Sequence, residues 1–242
     1  MARPAQDRAE EILDAARAQL RLDGAGQTTV DAVAARAGVG KGTVFLYWPT
    51  KTRLLNAVLS LEKARLLAEL ADDLRTGAVY LSAAHVVRRE ISAFVNNPDL
   101  APYWLDLPGP SADPDSFPGR ALRRIIPVMQ ARGLVQDHGI DEIATGFETV
   151  MSGAVRLGLA EPSRKEVLLD AAEHLIAAAY DRAEASSSDV ARALPEVIEL
   201  LEDAVDELVV NAVPDRPTTA VLRPRERPAP LDAVVESVIR QP

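Results

Sequence analysis

The chain has 242 residues, of which 48% are hydrophobic and only 4% aromatic, enough for a sizeable core built mainly from Ala, Leu and Val. It has no cysteine, which excludes disulfides and thiol chemistry, and no apolar run of bilayer length, so a soluble, cytoplasmic protein without a membrane partner is expected. The net charge of -9 argues against a nucleic-acid binder until it is divided: residues 1–53 hold eight Lys/Arg against six acids, a head of +2, and the remainder holds 19 against 30.

In chain order, Ile12, Leu13, Ala16 and Leu20 form one stripe of an amphipathic helix over residues 8–22, which Asp23, Gly24 and Gly26 stop. Thr28 and Thr29 are competent N-caps for a second helix with Val30, Val33, Ala34 and Ala37 on one face. Gly38 supplies the left-handed backbone that a tight turn requires, and a third helix runs from about Gly40 to Tyr47, closed by Trp48-Pro49. Two short helices meeting at a glycine turn make a helix-turn-helix, in which the first braces and the second enters a DNA major groove. The stretch Thr28–Lys51 is therefore read as a DNA-reading head.

These residues carry a resemblance. RAEEILDAARAQLRLDG followed by TTVDAVAARAGVGKGTVFLYWPTKTRLLNAVL resembles the N-terminal domain of the tetracycline-repressor-like (TetR) family of bacterial transcriptional regulators. The features agree in order: first helix, Thr-initiated second helix, AGV turn, KGTV start of the reading helix, aromatic triplet, and the Lys that opens helix four. The resemblance covers residues 8–60, about a quarter of the chain. It implies an all-α fold, an N-terminal three-helix helix-turn-helix domain followed by a larger helical ligand-binding and dimerisation domain. It also implies a homodimer on a double-stranded DNA operator, released by a small-molecule inducer.

Helix four is expected from Thr50-Lys51 to just before Gly77, and a fifth over residues 82–95. Six prolines between Pro98 and Pro118 then forbid a long regular element and leave a loop carrying Tyr103, Trp104, Leu105 and Phe117. Helices are expected over residues 120–132, 141–159 and 164–185, and a last one opened by Pro195 in its first turn. From Pro214 five prolines in 17 residues mark a tail. The domains expected are 1–53 for DNA binding, 54–212 for ligand binding and dimerisation, and a Pro-rich tail over 213–242.

For the head, Lys41, Gly42 and Thr43 open the reading helix, where a cation, a hydroxyl and close backbone approach suit phosphates and base edges. Phe45 and Leu46 offer apolar contact to thymine methyls or sugars, and Tyr47 a hydroxyl for a phosphate. Thr29 and Lys51 would clamp the DNA backbone on either side; Val44 and Trp48 are read as core. For the body, Phe94, Tyr103, Trp104, Phe117, Met129, Phe147 and Met151 are the large groups expected to line a ligand pocket. The Ala-rich run Glu173–Tyr180 and the amphipathic helix from Pro195 to Val210 are expected to pair with their copies in a dimer.

An enzyme is disfavoured. Gly40-Lys41-Gly42-Thr43 fails as a phosphate-binding loop because Gly, not Ser or Thr, follows the Lys and a helix rather than a strand precedes it. His85, His138 and His174 stand singly, without the spacing of a metal site, and no cofactor is implied. A repressor is the favoured reading, because binding across a promoter blocks polymerase unaided. The alternative is a small-molecule-binding or protein-interaction module whose head keeps the fold but no longer binds DNA.

Overall fold

The computed structural model describes residues 5–98, 101, 105 and 117–214. Its helices are α1 (Ala5–Gln27), α2 (Val30–Arg36), α3 (Lys41–Tyr47), α4 (Lys51–Thr76), α5 (Ala83–Val95), α6 (Phe117–Ala131), α7 (Ile140–Ala160), α8 (Lys165–Tyr180) and α9 (Ser187–Ala212). Among the described residues there is no strand; an isolated antiparallel bridge joins Val135 and Asp181. The fold is all-α, as the periodicity of the sequence predicts, and no described helix is long and apolar enough to cross a membrane.

The chain divides into two compact units. One holds residues up to Arg65 together with those from Val205 on, and the other holds Leu66–Ala204. Both divisions fall inside a helix, within α4 and within α9. The first unit buries Ile12, Leu13, Ala16 and Leu20 of α1, Val33 and Ala34 of α2, Val44 of α3, and Leu54, Leu55 and Val58 of α4. Each large aliphatic side chain so buried contributes about 1.5–3 kcal/mol. Helix α1 is broken at Gly24, whose φ of 71° only glycine adopts cheaply, and the Gly24 carbonyl accepts from both the backbone N–H (3.0 Å) and the hydroxyl (2.8 Å) of Thr28. An ion pair from Arg17 to Glu62 ties α1 to α4.

In the second unit α5, α7 and α8 pack on one another, with α6 on α7. Adjacent arginines of α5 reach opposite neighbours: Arg88 bonds Asp170 (2.7 Å) and Glu173 (2.9 Å) of α8, and Arg89 bonds Asp73 (3.0 Å) and Glu69 (2.9 Å) of α4. Two glycines of α7 mark close approaches. A Cβ on Gly158 would stand 2.9 Å from Cγ2 of Val95, and one on Gly146 would stand 1.8 Å from the hydroxyl of Tyr180.

Helix limits depart from the sequence expectation at α1, which runs over Ala5–Gln27 rather than residues 8–22, and at α6, α8 and α9, and Ala101 and Leu105 are helical where a loop was expected. Helix α6 starts at Phe117 rather than residue 120, with Pro118 in the first turn, where its missing N–H has no intrahelical acceptor to lose. Helix α8 ends at Tyr180, not near residue 185, because Asp181 is extended and its carboxylate accepts from the N–H groups of Ala83 (2.8 Å) and Ala84 (3.1 Å) at the start of α5. Helix α9 begins at Ser187, so Pro195 lies in its interior instead of its first turn. The start is fixed by a reciprocal cap: Ser186 Oγ accepts from the N–H of Asp189 (3.2 Å), and the Asp189 carboxylate accepts from the N–H of Ser186 (2.9 Å). Pro195 leaves the Ala191 carbonyl without its helical donor, at a place where both residues are exposed.

Candidate nucleic-acid interface

Helix α2 opens on Thr29, whose extended backbone turns its hydroxyl to accept from the N–H of Ala32 at 3.2 Å. It closes on Gly38 at φ 66°, with the Gly38 N–H on the Ala35 carbonyl (3.3 Å) and the Val39 N–H on the Ala34 carbonyl (3.0 Å). This pair of bonds is a Schellman closure, and it sets the direction in which α3 departs. Helix α3 starts after Gly40 and ends at Trp48, whose backbone N–H reaches the Val44 carbonyl at 2.9 Å.

The spacing within α3 sorts its side chains. Lys41, Gly42, Phe45 and Leu46 lie outward, with Phe45 38% and Leu46 40% exposed, Thr43 is half-buried, and Val44 and Tyr47 face inward. A large apolar pair left in water on a seven-residue helix is the main irregularity of this surface. The Lys41 ammonium lies 2.7 Å from the carboxylate of Asp31 on α2, both groups being more than half exposed. Lys51, half-buried, donates to the Gly26 carbonyl at 3.3 Å and so braces the α1–α2 turn.

The outward face thus gathers Lys41, Gly42, Phe45 and Leu46. Thr29 is exposed at the start of α2 and serves there as a cap. Tyr47 departs from the expectation of a displayed hydroxyl: it is 5% exposed and its ring centroid lies 5.6 Å from that of Trp48. The cause is its place three residues after buried Val44, on the same side of the helix. Asp31 is missed by sequence reasoning, since only the turn geometry brings it to Lys41. The partner of Trp48 is missed as well: its indole N–H donates to the carbonyl of Ala212, 164 residues later, at 3.3 Å.

Of the side chains expected in a body pocket, Phe94, Met129 and Phe147 are buried and Met151 half-buried, on α5, α6 and α7. Tyr103 and Trp104 lie outside the described residues, as does the side chain of Phe117. Phe147 meets Tyr180 edge to face at 5.4 Å, and Tyr180 meets His138 at 5.8 Å. Burial first, and then the charge of Glu142, raises the Tyr180 hydroxyl above its ordinary pKa, so the phenol stays protonated.

The family model of bacterial regulatory proteins of the tetR family matches residues 12–58, which spans the whole of α2 and α3. No curated protein matches the chain. Among solved structures, a tetR family transcription regulator from Shewanella sp. PV-4 aligns at 21% identity over 72% of this chain and 99% of its own, with a TM-score of 0.48. A TetR transcriptional regulator from Rhodococcus sp. RHA1 aligns at 21% identity over 85% and 98%, TM-score 0.37. A gamma-butyrolactone receptor described as ArpA-like aligns at 20% over 84% and 98%, TM-score 0.39. All three scores are below 0.5, so the assignment rests on the match over residues 12–58 and on the helix-turn-helix geometry within it. Over residues 12–58 the chain thus carries the helix-turn-helix domain described by the family model of bacterial regulatory proteins of the tetR family.

Proposed function

We propose that the chain is a repressor which binds a palindromic operator as a homodimer and is released by a small molecule held in the body. The observation that carries the reading is the outward face of α3, where one cation and two exposed apolar side chains stand where a groove-reading helix must display them. In this reading the residues up to Lys51 read DNA. Lys41 and Thr43 meet phosphates or base edges, Gly42 permits close approach, Thr29 and Lys51 hold the flanks, and Tyr47 anchors α3 from within. α3 carries no Arg, Asn or Gln for a bidentate bond to a base, so Phe45 and Leu46 select thymine methyl groups.

The pairing of two copies is supported by α8, where Val167 (62% exposed), Ala171, Leu175 (60% exposed) and Ala178 leave an apolar stripe in water. A ligand would lodge among Phe94, Met129, Phe147 and Met151, with Tyr180 supplying a protonated hydroxyl.

The test starts by enriching duplexes from a random-sequence library with the full chain and measuring their binding against salt. Lys41→Ala is expected to weaken binding and reduce the salt slope by about one. Asp31→Asn is expected to tighten binding to every duplex a few-fold, the scale of about 0.2–1 kcal/mol for an exposed pair whose cation is set free. Failure to enrich any duplex would favour a head that no longer binds DNA.

A further inference from the structure

We infer that the C-terminal turn of α9 is a working part of the DNA-reading head, and that Trp48 is the positioning residue through which it fixes the exit of α3. The inference rests on the reading that α3 contacts DNA, and goes beyond it by bringing in the end of α9. Trp48 is the residue at which α3 stops, its backbone already extended at φ -125° and ψ 103°. Its indole needs a hydrogen-bond acceptor because the ring is buried, at 5% exposure. Ala212, 1% exposed, ends α9, so its carbonyl has no intrahelical donor. The 3.3 Å bond joins these two orphan groups and satisfies both.

Further back on α9, Val205 and Leu208 are 5% and 4% exposed, within the same compact unit as α1, α2 and α3. A seven-residue helix has no stability of its own, so its position is set by what it packs against. On the inner side that means Val44, Tyr47 and Trp48, with the Tyr47 ring lying on that of Trp48. Moving the Trp48 indole therefore moves the turn that carries Phe45 and Leu46, without touching either. The C-terminal turn of α9 sets the angle at which the reading face is presented.

The experiment uses the full chain and a duplex enriched from a random library, with a scrambled duplex as the non-specific probe. Trp48→Phe keeps a buried ring and removes the donor. It is expected to cut affinity for the enriched duplex about tenfold, because the reading face loses its fixed angle, while binding to the scrambled duplex, the salt slope and helix content stay unchanged. Leu208→Ala leaves the whole helix-turn-helix sequence intact and is expected to give the same selective loss. Should Trp48→Phe lose helix content, Leu208→Ala decides. Selective loss in the deciding variant supports the positioning role, whereas wild-type discrimination in that variant while folded, or an equal loss on both duplexes, overturns it. A wild-type chain that enriches no duplex fails at the earlier step and overturns the DNA reading itself.

Discussion

Asp181 shows how much one side chain can be asked to hold. Its carboxylate caps α5 across the fold, and burial raises its pKa from the ordinary 3.8, against the opposing pull of the Ala83 and Ala84 N–H groups, His85 and Ser82. A carboxyl whose folded pKa stands above its unfolded value stabilises most below 3.8, and that stability is lost as the pH rises through the folded value. Asp181→Asn keeps an acceptor for the cap and cannot ionise. The stability of the wild type relative to this variant should therefore fall as pH rises from about 4 and then level off, read from urea midpoints. A difference independent of pH would contradict the burial of the charge. Asp181→Ala, with both N–H groups stranded, is expected to cost about 1–2 kcal/mol.

Among the helices, what the sequence made readable was whatever depends on neighbours three or four positions away. The limits of α4 and α5, the left-handed turn at Gly38 and the cap at Thr29 follow from such local rules. The outward face of α3 was readable for the same reason, once Val44 was taken as core. The rest was set from a distance. The end of α8 depends on a carboxylate bonding N–H groups 97 and 98 residues away, and no local pattern announces it. The start of α9 did carry a local signal, the Ser186 and Asp189 cap, which the more conspicuous Pro195 masked. Tyr47, expected to offer its hydroxyl to a phosphate, lies on a different side of the helix from Phe45 and is buried. The packing of α7 on α8 gives a test at this scale. Gly146→Ala drives a methyl into the Tyr180 hydroxyl and is expected to cost about 1–3 kcal/mol, less any gain in helix propensity. In a Tyr180→Phe background the penalty should shrink, and a double-mutant cycle in chemical denaturation that shows no coupling would refute the contact.

For the whole molecule the open question in the sequence was where the head ends. A motif ends at its last recognisable residue, whereas the compact unit that holds it takes in residues up to Arg65 and again from Val205. The proposed dimer makes the corresponding prediction for the body. Leu175→Glu places a charge in the exposed stripe of α8 and should leave the fold intact while shifting sedimentation from dimer to monomer at micromolar concentration. An unchanged sedimentation coefficient would move the interface elsewhere.

The cap that Asp181 places on α5 also orders events in time. During synthesis the first turn of α5 is made long before the carboxylate that completes it, with α6, α7 and α8 still to come. A ribosome paused before Asp181 holds a body whose fifth helix still frays at its start, and protease susceptibility near Ser82 in nascent chains should disappear only once Asp181 has emerged.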